Sequence, residues 1–165
     1  MLLTSILLTS LAGYAKDRYP ERIQTQYGIG IEHGGFASHV KSVSLSTYNP
    51  LFAGLSYGSQ AGFLSDARDD LSALYLFALV GTTLYPTQFF YVENYFGPGL
   101  ITSTSKKLSG AIQFSTHLGL GFRDKRTGNE IGVLWKHISN GGINRPNLGR
   151  DLLMLSVGIS IGDVE

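Results

Sequence analysis

The sequence predicts an all-β protein, an eight-stranded antiparallel transmembrane β-barrel of the outer membrane. Three observations predict it. The composition is rich in Gly (21), Tyr (9) and Phe (9), and only 15% of residues are charged, against about 25% in an average soluble domain. Most of the chain divides into segments of about ten residues in which apolar and small or polar residues alternate, the pattern of barrel strands. Beyond the N-terminus no segment reaches the roughly 18–20 apolar residues that a spanning helix needs. A membrane location therefore requires a closed sheet, because lipid offers the backbone no hydrogen-bond partners.

The chain of 165 residues suits one domain. A net charge of +1 excludes an electrostatic nucleic-acid binder. The absence of cysteine excludes disulfides, thiolate zinc sites and cysteine nucleophiles. The N-terminus, "MLLTSILLTSLAGYAKDRYP", has an apolar run from Leu2 to Leu11, then Gly13 and Ala15 at signal-peptidase spacing. Residues 1–15 are predicted to be a cleaved signal peptide, although no Lys or Arg precedes the apolar run. Residues 16–165 form the barrel domain.

The strands follow in order. Gln26–His33 sets Tyr27, Ile29 and Ile31 against Gly28, Gly30 and Glu32. Lys41–Tyr48 sets Val43 and Leu45 against three serines. Leu51–Gly58 sets Ala53, Leu55 and Tyr57 against Gly54, Ser56 and Gly58. Leu71–Gly81 is apolar on both faces, which a strand or a buried helix would satisfy. Phe89–Phe96 is aromatic. Gly110–Phe122 alternates cleanly, and Asn129–Ser139 and Asp151–Ile161 complete the set. With both termini in the periplasm, the periplasmic turns are "NP" after Tyr48, Tyr85–Gln88 and Asp124–Gly128. The external connections are Gly34–Val40, the segment around Ser65–Asp70, Gly97–Ser109 and Asn140–Arg150. This alternation of short and long connections is a membrane-barrel asymmetry.

The seventh strand carries the chemistry. Its period of two puts Ile131, Val133, Trp135, His137 and Ser139 on one face, and Glu130, Gly132, Leu134, Lys136 and Ile138 on the other. The first row begins apolar and matches lipid, so His137 and Ser139 face outward. In the eighth strand Asp151 heads the row Leu153, Leu155, Val157, Ile159 and Ile161. Cross-strand spacing of about 5 Å then brings the three polar groups within reach. Polar groups on a membrane face point to function. A serine hydroxyl needs a base to become a nucleophile, and a carboxylate orients the imidazole. Asn140, Gly141, Gly142 and Asn147 are candidate oxyanion donors. A His-x-Ser pair alone is common, and "NGG" and "PN" are ordinary turn chemistry.

The longer stretch "KHISNGGINRPNLGRD" resembles the active-site hairpin of the PagL-type lipid A 3-O-deacylases, also called acyloxyacyl hydrolase-like outer-membrane proteins. The family pattern is His-x-Ser-Asn, a Gly-containing turn, Pro-Asn, and an acid twelve residues after the serine. His137, Ser139, Asn140, Pro146 and Asn147 match, and Asp151 holds the acid position. The resemblance implies a small barrel with an outward triad: Ser139 as nucleophile, His137 as general base and Asp151 as the acid that orients it. It implies no metal or cofactor. Its partners would be lipid A or lipopolysaccharide and the outer-membrane lipids, with a homodimer left open. Two departures stand out. The family usually has Glu where this chain has Asp151, and the chain ends in "SIGDVE" where such barrels commonly end in an aromatic residue.

The expected function is therefore a serine esterase of the outer membrane that removes the ester-linked 3-hydroxyacyl chain at position 3 of lipid A. The alternatives are a non-enzymatic structural or adhesin-like barrel, and a soluble barrel holding an apolar ligand. The latter needs large apolar residues inside, where these rows place Gly, Ser and Gln. His33, His39 and His117 lack metal-ligand spacing and read as loop or interior residues. Asp66, Asp69 and Asp70 read as a solvated loop, with cation binding as the alternative. Lys106 and Lys107 lie in an external connection where lipid phosphates could meet them, with an ordinary loop pair as the alternative. Tyr91, Tyr95, Phe96 and Trp135 are candidates for an aromatic girdle.

Overall fold

The computed structural model describes residues 21–32, 35–52 and 55–161. The predicted signal peptide, His33 and the last four residues lie outside them. Eight antiparallel strands close into one barrel in sequential order: β1 (Glu21–Glu32), β2 (Gly35–Phe52), β3 (Leu55–Asp66), β4 (Leu71–Thr87), β5 (Phe90–Ile101), β6 (Ile112–Arg123), β7 (Glu130–Ser139) and β8 (Arg150–Ile161). β1 pairs with β8 from Glu21↔Ile161 to Ile31↔Asp151. Closure leaves no sheet edge.

The predicted phase holds on the strands that show alternating rows, except that Leu51–Gly58 is not one strand. It divides between the end of β2 and the start of β3, where Tyr57 faces out and Ser56 is buried, and Ala53 and Gly54 lie outside the described residues. Tyr27, Val43, Leu45, Tyr57, Leu118, Leu120, Ile131, Val133, Leu155 and Val157 are exposed on the outside. β4 is a strand, and it is apolar on both faces because its lumen side is also packed. Ala73, Tyr75, Phe77 and Leu79 face in, while Leu74, Leu76 and Val80 face out.

The strands run longer than their turn signals suggest, and proline is the reason. "NP" after Tyr48 is not a turn. β2 continues through Pro50 to Phe52, with a register shift between Pro50 and Phe52. Pro86 lies inside β4 at a second shift, between Leu84 and Thr87. Pro98 lies within β5, where the pairing to β4 lapses between Phe96 and Gly99. A proline lacks the ladder donor but fits a strand at such an irregularity. The loop asymmetry is also narrower than predicted. β2 begins at Gly35, so the first external connection is short, and only 102–111 and 140–149 are long.

The lumen is a packed polar core. The Arg22 guanidinium donates to Glu130 at 2.6 Å and to Glu93 at 2.7 Å. It also lies 4.5 Å from the centre of the Tyr48 ring. Gln26, Gln60, Ser44 and Ser46 form a hydrogen-bonded cluster. Lys136 donates to Gln60 Oε1 at 2.5 Å and to Tyr75 Oη at 2.9 Å. His117 is fully buried beside Ser115 Oγ, at 2.9 Å. Glycines make room for the large rings: a Cβ on Gly132 would meet Tyr91 Oη at 2.3 Å, and one on Gly62 would meet the Tyr75 ring at 2.5 Å. Tyr91 and Tyr95 are thus buried lumen residues and not part of a girdle. Their phase puts them inside, where Tyr95 Oη meets Arg22 and Thr83. Phe96 and Trp135 do face outward.

At the periplasmic end Asp124 organises the turn after β6. The Arg126 backbone N–H donates to its carboxylate at 2.9 Å, and the Thr127 hydroxyl does so at 3.0 Å. These bonds, the Arg126 one first, hold the carboxyl below its usual range.

Val133 and Leu155 oppose each other mid-strand on the outer face. Val133→Arg is expected to destabilise the barrel in a bilayer by about 2–4 kcal/mol. The readout is the denaturant midpoint of fluorescence from Trp135, the chain's single tryptophan, in lipid vesicles. An unchanged midpoint would mean that this row does not face hydrocarbon.

Candidate active site

The β7–β8 hairpin places the candidate residues at the external end of the barrel. In β7, Lys136 and Ile138 are buried, while His137 and Ser139 between and after them are half-buried on the outer face. His137 pairs directly with Asp151 across the hairpin. Its Nδ1 lies 3.0 Å from Asp151 Oδ1, so an Nδ1–H donates to the carboxylate and Nε2 is left for chemistry. The Trp135 ring stacks on the imidazole, with centroids 5.9 Å apart and planes 23° apart. Among the described residues no hydrogen bond joins Ser139 to His137. The two share a face at a strand spacing of about 6.6 Å.

The connection 140–149 is built around Asn140, which is fully buried. Its Nδ2 donates to Ser109 O at 2.6 Å and to Asn144 O at 2.9 Å, and its Oδ1 accepts from Gly142 N–H at 2.9 Å. Its own backbone N–H donates to Asn147 Oδ1 at 3.2 Å. The positive φ values of Gly141 (63°) and Gly142 (85°) explain the "NGG" sequence, since glycine adopts that region without penalty. The neighbouring connection is zipped alongside. Ser109 Oγ donates to Pro146 O at 2.5 Å, Gly149 N–H donates to Lys107 O at 3.1 Å, and Leu108 bridges Asn147.

Of the four oxyanion candidates, Asn140 and the Gly142 N–H are thus engaged in shaping the turn. The Gly141 N–H and Asn147 Nδ2 have no acceptor among the described residues. Sequence reasoning missed three contributors. Ser109 anchors Asn140 from a distant part of the chain. Phe114 opposes Ser139 on β6. Gly149 (φ 67°) lies against the imidazole, where a Cβ would come within 2.6 Å of His137 Cε1. Only the "LG" before Arg150 hinted at Gly149; the other two carry no local signal.

The remaining candidates separate clearly. Asp66 is buried, and with Asp69 it forms ion pairs with Arg150, so these two are neither solvated nor a free cation site, while Asp70 is exposed as a solvated loop residue. Glu32 also pairs with Lys107 at 2.7 Å and Arg150 at 3.5 Å. Below the hairpin, on the outer wall, Val92, Leu118, Leu120, Val133, Trp135 and Leu153 line an apolar groove of about 340 Å³.

An eight-stranded barrel with an apolar outer wall and a His–carboxylate pair on its lipid side defines a class: outer-membrane barrels equipped for chemistry at the membrane surface. The comparisons narrow it. A family model described as Lipid A 3-O-deacylase (PagL) matches residues 27–160. The chain is similar to the lipid A deacylase PagL of Bordetella bronchiseptica, with 31% identity over 149 residues that cover 80% of this chain and 82% of that protein. In fold it is similar to the crystal structure of the outer-membrane enzyme PagL, with a TM-score of 0.63, 16% identity, and 85% of this chain and 99% of that one covered. It is also similar to the outer-membrane protein Ail of Yersinia pestis, with a TM-score of 0.56, 11% identity, and 86% and 99% covered. The chain belongs to the PagL family of lipid A 3-O-deacylases, and it is an ester hydrolase of the bacterial outer membrane.

Gly149→Ala is expected to displace the imidazole and lower ester hydrolysis by about 10-fold or more. Gel mobility of the barrel with and without heating gives the folded fraction, by which the rate is corrected, since a Cβ at φ 67° also strains the backbone there. Full activity in this variant would mean that the backbone at Gly149 does not hold the ring.

Proposed function

We propose that this protein removes the ester-linked 3-hydroxyacyl chain at position 3 of lipid A, using Ser139, His137 and Asp151 as a triad. The hydrogen bond between His137 Nδ1 and Asp151 on the lipid-facing wall is the observation that carries the reading. The Asp151 carboxylate holds the imidazole with Nδ1 protonated and stabilises its cation. His137 Nε2 takes the Ser139 hydroxyl proton as the oxygen attacks the ester carbonyl. The Gly141 N–H and Asn147 Nδ2 are the donors available to the oxyanion. Collapse expels the sugar 3-hydroxyl, which takes the proton from His137. Water then attacks the acyl-enzyme, with His137 again as base, and releases the 3-hydroxy fatty acid.

The site's position suits such a substrate. The apolar groove under Trp135 offers the acyl chain a seat continuous with the bilayer, and the polar hairpin lies at headgroup depth. Ile143 and Leu148, both exposed on the connection, add apolar contact there. Lipid A need not leave the membrane to reach the serine.

Mass spectrometry of lipid A from cells expressing the wild type is expected to show loss of one 3-hydroxyacyl chain. Ser139→Ala and His137→Ala should lower turnover by about 10³-fold or more and leave lipid A intact. Asp151→Glu, which restores the usual family acid, should retain activity. Identical lipid A from wild type and Ser139→Ala cells, with both barrels folded in the membrane, would sink the reading.

A further inference from the structure

Arg150 opens β8 and is buried in the barrel mouth, only 4% exposed at its side chain. Its Nη2 meets both Asp66, the last residue of β3, and Asp69 in the connection that follows. Its Nη1 reaches Glu32 Oε1, at the end of β1, at 3.5 Å. Glu32 in turn holds Lys107 at 2.7 Å, and the Lys107 carbonyl accepts from Gly149 N–H. The start of β8 is therefore tied to three other parts of the external rim. The next residue, Asp151, turns outward because successive strand residues face opposite sides. Its side chain is 42% exposed, and His137 is its hydrogen-bond partner among the described residues.

An aspartate is one methylene shorter than glutamate. It must reach the imidazole from a backbone position directly opposite His137 and has less side chain with which to correct an error. A shift of about 1 Å in such a group costs on the order of 100-fold in rate. The clamp inside the barrel supplies that backbone precision, since a planar, forked guanidinium fixes several carboxylates in set directions, whereas a lysine ammonium on its flexible stem holds them less rigidly.

We propose that Arg150 is a positioning residue: the ion pairs from its guanidinium to Asp66, Asp69 and Glu32 fix the start of β8 and so hold the Asp151 carboxylate against His137. This rests on the reading of Asp151 as the acid of the triad.

A double-mutant cycle on the full barrel, reconstituted with lipopolysaccharide as substrate, tests it. Rates are corrected for the folded fraction by heat-modifiable gel mobility. Arg150→Met is expected to lower kcat by about 10- to 100-fold with KM changed by less than about twofold. In an Asp151→Asn background the same substitution should change kcat by less than about twofold, because coupled residues do not add. Arg150→Met with Asp151→Glu should regain part of the loss, since the longer acid tolerates a displaced backbone. If Arg150→Met does not fold, Arg150→Lys carries the cycle, with a smaller loss that also vanishes in the Asp151→Asn background. An Arg150 effect that multiplies onto that of Asp151→Asn overturns the proposal alone. So does a loss explained by the folded fraction. Wild-type turnover in Asp151→Asn itself overturns the triad reading and this proposal with it.

Discussion

A bilayer offers no hydrogen bonds to a peptide backbone, and every level of this structure depends on that. The chain satisfies its N–H and C=O groups by closing eight strands on one another, with β1 pairing β8 over eleven residue pairs. Closure imposes a strict division between lumen and lipid, because side chains alternate with a period of two. The outer row must be apolar to meet hydrocarbon. The inner row is free to be polar: it holds Arg22, Glu93 and Glu130 as a buried ion cluster among tyrosines, and separately Lys136 against Gln60 and Tyr75. Removing one member of such a buried ion cluster typically costs about 3–5 kcal/mol, since its partners are left uncompensated.

The same division bears on where the candidate site lies. His137, Ser139 and Asp151 occupy outward positions of strands that are otherwise apolar on that face, and they do so only at the external end. Nearer the midplane the cost of a charged group would be larger. The hairpin then recruits order from the loops. Asn140 fills the turn's interior and satisfies three backbone groups, while Ser109 links it to the connection between β5 and β6. The proposed triad would thus be supported from the rim and, through Arg150, from within the barrel. Polar residues of the mouth connect the two sides through one peptide unit.

The alternating rows, the strand count and the outward phase of His137, Ser139 and Asp151 are legible in the sequence, because phase in a strand follows directly from sequence position. Membership in a deacylase family was legible from sixteen residues. The turns were read less well. "NP", "YP" and "GPG" are strong local breakers, yet Pro50, Pro86 and Pro98 all lie within strands. Barrel closure supplies enough pairing on either side to absorb a missing donor at a bulge or lapse in the ladder. Residue type makes Tyr91 and Tyr95 candidates for the membrane surface, whereas their phase sends them into the lumen.

Fold class and the two faces of the strands follow from periodicity, and the likeness of the hairpin to the deacylase family follows from one contiguous motif. Which groups meet across the barrel mouth is not written in any local pattern. Arg150 finds Asp66, Asp69 and Glu32, Ser109 finds Asn140, and Gly149 lies against the imidazole. These partners are far apart in sequence or on neighbouring strands, and closure of the sheet sets the register that brings them together.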